Sequence, residues 1–262
     1  MYRAFAASAF QTQLAYRAQV WAQALGYFIH ISAGVAIWTA VYAGLASVDG
    51  VSLPQMVTYA IIAGSVNVSW HWEQFIRNVD RQIKSGDLAV YLLKPLRYPL
   101  MLFSSECGNL GFGFIVLVAP VTIIAGLLYG FMPPASVAHG LLFVAMWAVG
   151  FLILFLCAAI AALLSFWLMT AFALEWLLAA LLALLSGRVV PLWFFPPEAA
   201  AVLNYLPFAW IAFHPSAVYL GEVQIADALV LFALGLSWVG VLAGVVALLW
   251  SRASRRLIVQ GG

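Results

Sequence analysis

An all-α integral membrane fold with six membrane-spanning helices is predicted by three features of this sequence. Apolar residues make up 66% of the chain and charged residues only 8%, where soluble domains carry about 25% charged residues to face water. Mean hydropathy is +1.06, and the apolar residues gather into runs of roughly 20, the length that crosses a bilayer core. When those runs are threaded back and forth, ten of the eleven Lys and Arg residues fall on one side, the bias that marks cytoplasmic loops.

Residues 1–20 mix Phe5, Phe10, Leu14 and Tyr16 with Arg3, Gln11, Gln13 and Arg17, which predicts an interfacial helix on the membrane surface; a plain lead into the first span is the alternative. No long apolar stretch lies between Arg3 and Arg17, so a cleavable signal peptide is not expected. Span one covers about 22–46, and Asp49-Gly50 with Pro54 marks the following turn. Span two runs from about 55 to 76, and span three from about 104 to 130 with a kink at Pro120. No Lys or Arg occurs from 137 to 187. A single helix of that length would exceed 70 Å by the rise of ~1.5 Å per residue, so two spans are expected, with a turn near Ser165–Thr170. Span six covers about 228–250.

With both termini in the cytoplasm, Arg3, Arg17, Arg77, Arg81, Lys84, Lys94, Arg97, Arg252, Arg255 and Arg256 lie inside and only Arg188 lies outside. The whole chain, 1–262, then forms one transmembrane domain.

Two segments depart from plain spans and turns. In 77–99, Glu73 with Arg77 and Asp80 with Lys84 are acid-then-base pairs at helical spacing. Span two is therefore expected to continue as helix to Gly86, with Asp87 capping a second short helix, Leu88–Lys94, which Pro95 ends. That element reads either as a structured loop on the membrane or as a docking helix for a cytoplasmic partner. The segment 189–227 is too apolar for an aqueous loop, and prolines at 191, 196, 197, 207 and 215 cut it into pieces too short to cross. Two re-entrant half-helices are expected there, opened by Pro197 and Pro215, the second closed by Gly221.

Catalytic and nucleotide-binding motifs are missing. A phosphate-binding loop ends in Gly-Lys-Ser/Thr, yet Lys84-Ser85 has Ile83 and Asn78 where glycines are required. His71 and Glu73 lack a third ligand, so no metal site is expected. The net charge of +2 suggests no nucleic-acid partner. Cys107 and Cys157 fall inside spans and read as small apolar fillers. Intramembrane carboxylates raise a functional question by default. Glu73, Glu106 and Glu175 lie near the inner ends of spans two, three and five. They could line a cytoplasm-facing vestibule, or pair with Arg77 and Arg17.

The run IKSGDLAVYLLKPLRYP (83–99) resembles the cytoplasmic loop after the second span in ABC-2 permeases of ATP-binding cassette exporters. The run SGRVVPLWFFPPEAAAVLNYLPFAWIAFHPSAVYLG (186–221) resembles the outer re-entrant region of one subgroup, and Ala15-Tyr16-Arg17 is also similar to it. The resemblance implies two six-helix subunits, of the same or a sister chain, above two separate ATPase subunits in the bacterial inner membrane. This chain would then need no cofactor, with ATP and Mg held by the ATPases and lipid surrounding the spans. By position, Gly86, Asp87, Leu88, Tyr91, Leu92, Lys94 and Pro95 match the ATPase-coupling motif. Pro191, Pro196, Pro207, Pro215, Tyr219 and Gly221 match the outer gate. A secondary transporter driven by an ion gradient is the rival expectation, and it would call for inverted repeats and a midplane site.

Overall fold

A computed structural model describes residues 2–14, 17–92 and 97–260, almost all of them helical. Helix α1, Tyr2–Leu14, precedes α2, Arg17–Val41. Asp49-Gly50 makes the expected turn, a two-residue hairpin loop with both residues at positive φ joining Ser47–Val48 (β1) to Val51–Ser52 (β2). Ser52 precedes α3, Leu53–Ser69, and its backbone N–H donates to Gln55 Oε1 at 2.9 Å, which fastens the first turn.

Four helices among the described residues are long and apolar enough to cross a bilayer: Gln19–Val41, Tyr98–Tyr129, Val137–Leu168 and Ile225–Arg255. The regions expected to hold spans two and five contain shorter helices. Helix α3 has 17 residues, and α9, Phe172–Leu185, has 14.

Span two does not continue unbroken to Gly86. The chain turns extended at Trp70 (φ −151°, ψ 128°) and resumes as α4, Trp72–Ser85. Tertiary contacts hold that break. The Trp70 indole is buried among Phe75, Phe151 and Phe155, and its Nε1–H donates to Glu106 Oε2 at 2.7 Å. Gly113 lies against the Ser69 carbonyl, where any Cβ would collide with backbone.

Helix α6, Tyr98–Phe112, passes through a π-helical turn, Gly113–Val118, into α7, Ala119–Tyr129. Pro120 sits in the first turn of α7. Its missing N–H and bulky ring remove a regular helical bond, and the wider π turn is the local accommodation where a kink was expected.

The apolar region without Lys or Arg divides at Met169–Ala171, between α8, Val137–Leu168, and α9. Met169 caps α8 in the left-handed region (φ 54°). Helix α8 is the central post, with α4, α9, α11, Phe213–Leu220, and α12, Ile225–Gln260, packed around it. Its face from Met146 to Ser165 is buried. A second apolar cluster joins α2, α3 and α7 through Tyr27, Ile31, Val57, Ile61 and Val121. Helix α1 runs alongside α6 in the same direction, with Tyr2 beside Ser104, Ala6 at Gly108 and Phe10 against Phe112.

Candidate functional site

Helix α4 ends where the sequence says it should. Gly86 takes the left-handed conformation (φ 78°) and its N–H bonds back to the Ile83 carbonyl. Asp87 does not cap the next helix from outside; it is the first residue of α5, Asp87–Leu92. Ser85 Oγ donates to Asp87 Oδ2 at 2.7 Å, so the joint closes on itself across Gly86. The expected helix reached Lys94, but Lys94 and Pro95 lie outside the described residues, as does the Leu92 side chain.

A helix this short cannot hold itself in water, and among its described side chains Leu88 and Tyr91 anchor it. Leu88 is buried against Tyr98 and Met101, with Ile83, Tyr91 and Trp250 completing the nest. Tyr98 stacks on Trp250 with ring centres 5.1 Å apart and donates its hydroxyl proton to Gln82 Oε1 at 2.7 Å. This nest ties α5 to α4, α6 and α12, while Ser85, Gly86 and Asp87 stay exposed.

At the opposite end of α8, the segment rich in proline folds as broken pieces. Pro191 precedes a 3-10 turn, Leu192–Phe194, and Pro196 precedes α10, Pro197–Leu203. Pro207 opens a second 3-10 turn, Pro207–Trp210. Helix α11, Phe213–Leu220, starts two residues before Pro215, which therefore lies inside the first turn and does not open it. Gly221 closes α11 in the left-handed region (φ 80°), as expected.

These pieces are packed down firmly. Phe213 through Tyr219 are all buried. The Tyr219 hydroxyl donates to the Met132 carbonyl at 3.0 Å, and its own carbonyl accepts from Ala135 N–H at 3.1 Å. The α7–α8 loop is thereby pinned to α11. His139 bridges Ser136 Oγ at 2.8 Å and the Val223 carbonyl at 3.2 Å.

His214 is buried beside Trp210 and Phe213. One ring nitrogen meets the Asn204 carbonyl at 2.9 Å, and Nδ1 has no partner among the described residues.

Glu106 is set apart from Glu73 and Glu175, both of which lie close to Arg77. Glu175 on α9 pairs with Arg77 Nη1 at 2.6 Å, so the expected local partner of Arg77, Glu73, is replaced by one on another helix. Asp80 and Lys84 pair as expected, at 2.8 Å. Glu106 faces elsewhere. Its Oε2 accepts from Trp70 Nε1 and from Asn109 Nδ2 at 3.0 Å. It lines a polar cavity of about 390 Å³ together with Gln13, Gln23, Gln74 and Asn78. Neither Glu73 nor Glu175 lines that cavity. The Arg17 side chain, the other expected partner for a glutamate, lies outside the described residues, as do Ala15 and Tyr16.

Sequence reasoning did not find this cavity, nor the role of Trp70 and Trp210. The available signal was the recurrence of Gln and Asn at 13, 19, 23, 74, 78 and 109 in a chain so poor in polar groups.

Comparison with known proteins supplies one match. A family model described as ABC-2 family transporter protein covers residues 28–261. No curated protein and no solved structure matches the chain.

Proposed function

The chain belongs to the ABC-2 transporter family and is a multi-pass membrane protein, and from that premise we propose that it is the permease subunit of an ATP-driven exporter. It contributes half of a translocation path and couples to a separate ATPase chain. The observation that carries this reading is the α4–Gly86–α5 joint. It is a six-residue helix whose buried Leu88 packs in one cluster with Tyr98 of α6 and Trp250 of α12. Force applied to α5 would pass through Leu88 to Tyr98 at the start of α6 and to Trp250 on α12.

In this reading α5 faces the cytoplasm and both termini lie on the same side, with α1 running parallel to α6 and not flat on the membrane surface. Helix α3 with its break at Trp70 forms the second span and α9 forms the fifth, giving six. The pieces from Pro191 to Gly221 form the lid of the path, pinned by Tyr219 to the α7–α8 loop. Two permeases, of this chain or a sister chain, pair in the bacterial inner membrane above two ATPases that hold ATP and Mg.

The test is co-purification. The tagged chain, expressed with the genes flanking its own and extracted in mild detergent, is expected to bring down an ATPase subunit and ATP hydrolysis. Recovery of the chain alone, together with gradient-driven uptake into proteoliposomes lacking ATP, would overturn the exporter reading in favour of a secondary transporter.

A further inference from the structure

Among the described residues, the cavity between α1, α2, α4 and α6 is lined by one carboxylate, the imidazole of His71 and a ring of amides. Glu106 is 9% exposed, and both groups bonded to it are donors onto Oε2. No described residue donates to Oε1, and that oxygen is open to the cavity and not sealed in protein. A buried acceptor without a donor is costly, so a site of this kind is complete only when something supplies one.

The rest of the lining says what that something is. No described Lys or Arg lines the cavity, which leaves the carboxylate as its one described charge. Gln13, Gln23, Gln74, Asn78 and Asn109 add amide oxygens that can turn toward a donor. A bare metal ion fits poorly: the space is about 390 Å³, room for roughly a dozen waters at ~30 Å³ each. The described residues also offer no group of three metal-ligating side chains. An occupant with several N–H donors, positive charge and a small polar body matches charge, size and hydrogen-bonding capacity together.

We propose that this cavity binds a small organic cation carrying a primary ammonium group, with Glu106 Oε1 as its counter-ion and the surrounding amides as secondary acceptors. The same chemistry is presented by an aminated lipid headgroup and by a soluble amine. The break at Trp70 is part of the site. It aims the indole N–H at Oε2, fixing the carboxylate so that Oε1 points into the cavity.

The probe is ethanolamine, titrated at constant pH and ionic strength into the full chain in nanodiscs of phosphatidylglycerol. Calorimetric binding is expected for the wild type. Glu106→Gln is expected to weaken it about tenfold or more, the worth of a charge-assisted hydrogen bond. Gln74→Leu, which leaves the Trp70–Glu106 bond untouched, is expected to weaken it less. Tetramethylammonium, charged but without N–H groups, is expected not to compete. Repeating the titration in discs containing phosphatidylethanolamine separates the two sources. Suppressed binding assigns the site to the lipid headgroup, and unchanged binding assigns it to a soluble amine. The proposal is overturned if the wild type does not bind ethanolamine, if Glu106→Gln binds as well as the wild type, or if tetramethylammonium competes equally. The measurement requires no ATPase, so its failure leaves the permease reading intact.

Discussion

On the permease reading proposed above, Leu88→Asp is expected to strip the ATPase from the complex and to lower ATP hydrolysis per permease by about tenfold or more. The size follows from how little else holds α5. The helix has six residues, and an isolated helix needs about 12–15 to be even marginally stable. Its docking rests on Leu88, buried in the nest of Tyr98, Met101 and Trp250. Removing that leucine forfeits about 1.5–3 kcal/mol of apolar burial. Placing a carboxylate there adds a desolvation penalty. The helix is expected to leave the body, while α4 and α6 keep their own anchors in Phe75, Ile76 and Phe112.

Leu88→Met conserves volume and costs under about 1.5 kcal/mol at such sites, so it is expected to retain most of the activity. ATPase recovery and hydrolysis measured on the two variants and the wild type decide the matter. Wild-type hydrolysis in Leu88→Asp would remove α5 as the element that receives force.

Trp210→Ala is expected to be the most destabilising single substitution in the segment after α9. The ring is 1% exposed and lies between two helices at positions where each carries glycine. Its backbone carbonyl crosses α8 at Gly150, and a Cβ on Gly235 of α12 would fall 2.5 Å from its indole nitrogen. Nε1 donates to the Leu231 carbonyl at 2.9 Å. Because helix backbone walls the site on both sides, the hole left by the ring cannot collapse. Losses of about 3–5 kcal/mol are usual for such truncations.

At roughly 2–4 °C per kcal/mol for a chain of this size, melting in detergent is expected to fall by about 10 °C. Trp210→Phe keeps a ring and loses the N–H bond, so about 1 kcal/mol is expected beyond the lost volume. Protease cleavage between Pro197 and Trp210 is expected to rise in Trp210→Ala. If melting and cleavage both match the wild type, the segment is not held by this residue.

Features that depend on single residues were legible from the chain alone. Asp49-Gly50 can adopt positive φ at low cost, and it forms the hairpin. Gly86 and Gly221 stop their helices for the same reason. The absence of Lys and Arg over 137–187 forced two helices, and the turn falls at Met169–Ala171, overlapping the expected stretch. The prolines of 191–215 fragmented their segment as expected, because each removes an N–H wherever it stands.

Features that depend on two distant residues were not legible. Glu73 at helical spacing from Arg77 is an adequate local partner, yet Arg77 pairs with Glu175, ninety-eight residues away. Trp70 carries no local signal to stop a helix; Glu106 and the ring nest around it impose the stop. The three glutamates share an expected depth, yet Glu106 lines the amide cavity while Glu175 pairs with Arg77, because depth follows from counting residues while facing follows from the rotation of packed helices. The sequence by itself determined where this chain can turn and which stretches can face lipid, since backbone torsions and apolar area are properties of each residue. Tertiary structure alone decided which polar groups meet, because the bond from Trp70 to Glu106 exists only once α3 and α6 are packed side by side.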